Sequence, residues 1–112
     1  MALRELSTEE RDKARKKALA ARIERAELKQ SFGAGKTSFA DVLDKADSSE
    51  AVARLKTLEL LEALPGIGRV TAGKVLDELG ISENRRIGGL GVKQRAALSD
   101  YLASLSLSLI HI

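Results

Sequence analysis

Apolar positions recur at intervals of three and four along this chain. No stretch before residue 104 alternates with a period of two, so the pattern predicts an all-α fold. The first helix opens at Ser7, whose hydroxyl is placed to accept from the Glu10 amide while the Glu10 side chain reaches back, a reciprocal capping box. Nothing interrupts it as far as Gln30, and Gly33 and Gly35 stop it. That is about 24 residues, or ~36 Å, longer than a small domain is wide. Its apolar stripe is thin, chiefly Leu19, Ile23 and Ala26, which predicts that its outer half projects from the core as an arm.

A second helix is predicted from Ser38, with Asp41 as the capping acid, to about Ala46; Phe39, Val42 and Leu43 supply its buried face. Asp47, Ser48 and Ser49 mark a turn before a short helix over 50–55. Thr57 is the expected cap of a helix over 58–63, with Leu60, Leu61 and Leu64 toward the core. Pro65 falls at a junction, a further helix covers 69–79 until Gly80 stops it, and a loop from Ser82 to Gly91 leads to a last helix from Val92 to about Ala103. No internal repeat or low-complexity linker divides the chain. The final segment, 104–112, alternates serine with apolar residues like a strand and carries no charge. Its Leu-Ser-Leu-Ile-His-Ile ending resembles a translated sequencing-adaptor tail, so 104–112 is set apart as an apolar, non-native tail. A native tail that docks on the core or on a partner is the alternative.

Composition narrows the function. With 112 residues the chain suits one compact domain and has no room for a large catalytic fold. The absence of cysteine excludes zinc fingers, thiolate metal sites, cysteine nucleophiles and disulfides. His111 is the only histidine, two residues from the end, so a histidine-centred triad or metal site is not expected, and neither is any cofactor. The longest apolar run is too short to cross a bilayer and no signal-peptide pattern is present, which predicts a soluble, cytoplasmic protein. The net charge of +3 is modest but unevenly spread: +3 over residues 1–30, −2 over 31–63 and +2 over 64–112. Both ends are basic, a pattern that permits a polyanionic partner.

Three features carry candidate chemistry. In Leu64-Pro65-Gly66-Ile67-Gly68, proline ends one helix, the two glycines leave the backbone uncovered, and Ile67 anchors the hairpin. The helix that follows presents free amides and its positive dipole end, suited to a phosphate oxygen, with Arg69, Thr71 and Lys74 close by. A tight turn whose glycines serve geometry alone is the alternative. The second feature joins Arg85 and Arg86 to the loop Gly88-Gly89-Leu90-Gly91, which opens the last helix. Its amides would also hold a phosphate, the arginines form forked bonds to phosphate or enter a minor groove, and Lys93, Gln94 and Arg95 occupy the first turn. Neither glycine cluster follows a strand and no Gly-Lys-Ser/Thr triplet occurs, which argues against nucleotide binding. The third feature is a stripe on the first helix: Arg11, Arg15, Arg22, Arg25 and Lys29 fall within an arc of about 80°, with the acids on other faces. It would follow a phosphate backbone, or serve as a solvated helix face. Asp77 and Glu78 point in different directions on one helix, so no carboxylate dyad forms, and a non-enzymatic role is expected.

In combination, the charged first helix ending in Arg25-Ala26-Glu27-Leu28-Lys29, the segment Leu58 to Leu61, the Leu64–Gly68 hairpin and the stretch Glu83 to Gln94 resemble the actinobacterial-type integration host factors. The resemblance covers roughly residues 7–102. It implies a long N-terminal helix (1–35) followed by a helix-two-turns-helix domain (36–103), related to modules in a ribosomal small-subunit protein and in some DNA-repair glycosylases. It also implies a monomeric nucleoid protein that binds double-stranded DNA through the backbone with little sequence preference, condenses or bends it, and assists phage integration, with a phage integrase as a further partner. By motif, Gly66, Ile67, Gly68 and Thr71 would hold phosphate, and Arg85, Arg86, Gly89, Gly91, Lys93 and Gln94 would form a second contact. One departure stands out: Gly88 occupies a position where the family commonly carries a third arginine, which implies a weaker second contact. An RNA-associated or ribosome-associated helical module, or a protein-docking accessory domain of a repair or recombination complex, are the competing expectations.

Overall fold

The computed structural model describes residues 7–110, and His111 and Ile112 lie outside the described residues. Six helices run in order: α1 (Thr8–Gly33), α2 (Phe39–Ser48), α3 (Glu50–Ala53), α4 (Thr57–Glu62), α5 (Arg69–Glu78) and α6 (Val92–Ile110), with a 3-10 turn at Ile87–Gly89. Among the described residues there is no strand, only an isolated antiparallel bridge between Lys56 and Arg86. No described helix is long and apolar enough to cross a membrane.

The polar residues that punctuate the chain also fasten it. The Ser7 hydroxyl accepts from the Glu10 amide and starts α1. Ser38 and Asp41 form a complete capping box at α2, each side chain bonded to the other's backbone amide. Ser49 caps α3 by accepting from the Val52 amide and donates its own proton to the Glu24 carboxylate, which ties α3 to α1. The expected cap at Thr57 is not formed. Lys56 holds the cap position, and Thr57 begins α4 fully buried, with its hydroxyl unpartnered.

Val42, Val52, Leu55, Leu60, Leu61, Leu76, Ile87 and Leu98 are fully enclosed, so α2 to α6 and the 3-10 turn share one core. Helix α1 reaches that core only through its last turns, where Leu28 and Phe32 are buried. The stripe expected to face inward is on the wrong side: Leu19 and Ile23 remain about half exposed, and Ala26 is exposed. The docking face is set by where the globular part begins, and there the row Arg25, Leu28 and Phe32 turns inward. From Ser7 to Ala20 no residue is buried, so this half of α1 projects, and the molecule measures 62 × 26 × 25 Å. Gly33 is the last residue of α1 rather than only its stop. A Cβ there would collide with the Ala63 carbonyl, so a glycine is what lets α1 close against the end of α4. The backbone from Ser104 to Ile110 continues α6 as a helix, not as a strand, since neither Gly nor Pro interrupts it.

Candidate nucleic-acid interface

The hairpin between α4 and α5 begins where the Leu64 carbonyl accepts from the Ile67 amide at 3.1 Å. Gly66 carries the turn with φ of +81°, a region that other residues rarely adopt. Ile67 is half-buried and packs on the core. Gly68 then sits at the N-cap of α5 in an extended conformation that any residue adopts, and a Cβ there would meet nothing within 4 Å. No side chain caps the helix and no acid lies in its first turn. The α5 start is therefore a set of donors with a positive dipole end, facing open space. Arg69, Thr71 and Lys74 are all exposed on the same short helix.

The second glycine loop is more occupied than its sequence suggests. The Gly91 amide donates to the Gln94 side chain at 2.9 Å, and the Gln94 amide nitrogen donates to the Gly80 carbonyl at 3.2 Å. Gly91 and Gln94 thus join the α6 start to the end of α5 rather than standing open to a ligand. Arg95 donates to the Leu90 carbonyl. Arg85 folds back onto the Gly89 carbonyl at 3.2 Å. Lys93 is exposed. Gly88 is pressed against α3, where a Cβ would lie 2.8 Å from the Ala53 Cβ. An arginine at 88 would have to displace that helix.

Arg85 and Arg86, adjacent in sequence, serve different surfaces. The Thr57 amide donates to the Arg85 carbonyl at 3.0 Å, and the Ile87 amide donates to the Leu55 carbonyl at 2.9 Å. These two bonds flank Lys56 and Arg86 as a non-hydrogen-bonded antiparallel pair, the arrangement that brings facing side chains closest, about 4.5 Å between Cα atoms. Two like charges held directly opposite are unfavourable. Around them lies a cleft of about 530 Å³ whose walls include Arg22, Arg25, Lys29, Arg54, Lys56 and Arg86, with Glu59 as the lone carboxylate. Arg25 donates to the Ala51 carbonyl, and Arg54 pairs with Glu50 one turn earlier. Among the described residues, Arg22, Lys29, Lys56 and Arg86 form no ion pair.

The cleft gathers three residues of the basic stripe, Arg22, Arg25 and Lys29, together with Arg86. Arg11 and Arg15 stay on the projecting half of α1. Residues 25–33 of α1 run alongside 56–63, so the cleft adjoins the start of α4 and the hairpin follows its end; a second hollow between them is lined by Glu59 and Glu62. Arg54 and Lys56 were not singled out in the sequence. The expectation of helix through residue 55 hides them: the helix ends at Ala53, Arg54 caps it in a helical conformation, and the chain then turns to bury Leu55 and extends at Lys56, leaving both cations at the cleft. No three described acidic or imidazole side chains come together as metal ligands.

A long helix leading into a small all-helical domain, with a glycine hairpin that opens α5 and a second glycine loop that opens α6, defines a helix-two-turns-helix protein. A family model described as the S13-like H2TH domain matches residues 32–101. The chain is 45% identical over 104 residues to the integration host factor of Mycobacterium tuberculosis, spanning 93% of this chain and 99% of the relative. Against the integration host factor of Streptomyces coelicolor it is 43% identical over 98 residues, 88% of this chain and 92% of the relative. A solved structure of sIHF bound to an 8 bp palindromic DNA superimposes with a TM-score of 0.74 at 41% identity, covering 77% of this chain and 97% of that one. The chain belongs to the integration host factor family.

Proposed function

We propose that this chain is a non-enzymatic architectural protein that grips the phosphate backbone of double-stranded DNA with low sequence specificity. The observation that carries it is the start of α5. Gly68 is a glycine that neither backbone conformation nor packing requires, next to uncapped amides in open space. A residue without a side chain at that place is explained by something that approaches the backbone closely, and a phosphate oxygen suits the amides and the dipole. Exposed Arg69, Thr71 and Lys74 add two charges and a hydroxyl. The relatives named integration host factor, and the DNA bound to sIHF, support the same ligand.

The second contact is built from Arg86, Lys93 and the α1 stripe. Gly91 and Gln94 act through it by bracing the α6 start, and Arg85 and Gly89 shape the loop. Arg11 and Arg15 on the projecting half extend the contact along the duplex. The chain acts as a monomer in the nucleoid, and a phage integrase is a further partner. Few of the side chains are suited to reading base edges, so backbone contacts dominate.

The test is fluorescence anisotropy with a random-sequence duplex of about 20–30 base pairs at several salt concentrations. If six to eight phosphates are neutralised, log K falls against log salt with a slope of about −5 to −7. A slope shallower than about −2 overturns a multi-contact grip. Matched double-stranded RNA as competitor separates duplex DNA from an A-form helix; equal competition would favour the ribosome-type alternative.

A further inference from the structure

The basic cleft between α1, the 54–56 segment and Arg86 is concave, and its charge exceeds what a duplex lying across it would neutralise. Six cations face one carboxylate there, and Arg54 alone among the six has an ion-pair partner. The Lys56–Arg86 bridge enforces the crowding, because backbone bonds on either side of it hold the two cations abreast whatever their repulsion. DNA offers one charge per about 1.7 Å of axis, spread around both strands, so a hollow this size meets only about two or three of its phosphates. About 530 Å³ is instead the size of a small-ligand pocket.

We propose that this cleft is a binding site for a short condensed phosphate chain, three or four phosphates long. Such a chain carries about four negative charges at neutral pH in a compact strip. That matches the charge left in the cleft once Glu59 and the Arg54 pairing are allowed for. Arg22 and Arg86 supply planar forks for the non-bridging oxygens, while Lys29 and Lys56 act as point charges. No aromatic side chain lines the cleft, so nothing there stacks on a base. Recognition is of the phosphates, whether they come as an inorganic chain or as the tail of a nucleotide. Occupancy sets Lys56 and Arg86 against a mobile anion and withdraws Arg86 from any duplex. The inference is independent of how the hairpin is used.

Calorimetry on the full chain with tripolyphosphate, ATP and orthophosphate at matched ionic strength tests it. Tripolyphosphate is expected to bind one to one, with orthophosphate at least about a hundredfold weaker. ATP should bind within a few fold of tripolyphosphate; a large preference for either identifies the source of the chain. The double variant Arg54→Gln/Lys56→Gln should lose at least about tenfold while melting as the parent does, and Gly68→Ser should bind tripolyphosphate unchanged. Equal binding by parent and double variant, or binding no stronger than that of sulfate, overturns the site. Duplex anisotropy on the same samples keeps the two readings apart. Loss of duplex binding alone would refute the DNA grip and leave the cleft standing; a double variant weakened only toward DNA would show that the cleft serves the duplex alone.

Discussion

Gly68 and Gly88 are both exposed, yet a side chain would meet opposite fates at them. At Gly68 a Cβ enters open space, and serine is a better N-cap than glycine because its hydroxyl accepts from the second or third amide. Gly68→Ser should therefore leave stability unchanged or raise it by about a few tenths of a kcal/mol, while DNA affinity falls at least about tenfold as the hydroxyl takes the phosphate's donors. Thermal melts and duplex anisotropy on one sample give both signs. At Gly88 a Cβ would press on Ala53 at 2.8 Å, so Gly88→Ala should lower unfolding free energy by about 1–3 kcal/mol in a urea titration. Thr57 presents a third case. Its buried hydroxyl has no partner, so Thr57→Val removes a desolvated polar group and should raise stability by about 1 kcal/mol.

At the scale of the element, α1 divides at Ala21. Nothing before it is buried, whereas Leu28 and Phe32 beyond it are core. A chain beginning at residue 19 should keep its unfolding free energy within about 0.5 kcal/mol by urea titration, because no packed contact is lost. That such an arm exists was legible in the sequence from its length and sparse apolar content; which face docks was not. Leu19, Ile23 and Ala26 form a plausible stripe because periodicity records where apolar residues lie, not where a partner surface begins. The hairpin turn was readable in the sequence, since Pro65 and Gly66 act through local backbone chemistry, with Gly66 at φ of +81°. The cleft was half readable. Arg22, Arg25 and Lys29 share a face by helical arithmetic, but Lys56 meets Arg86 only through a bridge formed across 30 positions of sequence, which no local pattern encodes. The same blindness hid the bracing role of Gln94, whose two side-chain bonds lock the α6 start to Gly80.

Over the whole molecule, the proposed contact combines two kinds of grip, and salt distinguishes them. In the proposed contact, amides at the α5 start would bind phosphate without adding a charge, whereas each lysine or arginine that neutralises a phosphate displaces a counterion from the DNA and steepens the salt dependence by about 0.9. Losing the hairpin should therefore lower affinity by the same factor at every salt concentration, while losing cations should change the slope itself. Gly68→Ser is expected to give a line parallel to that of the parent in a plot of log K against log salt. Arg11→Gln/Arg15→Gln, which touches only the projecting half of α1, should leave a slope shallower by about two, and its line should converge on the parent's at high salt. Parallel lines for the arm variant would mean that the arm never meets the phosphates, and the contact would then end where α1 enters the core. A slope change for Gly68→Ser would mean that the hairpin holds its partner through neighbouring Arg69 and Lys74 rather than through its amides. Arg11 and Arg15 lie on the projecting half of α1 and Gly68 at the start of α5, so their effects on log K should add in the double variant.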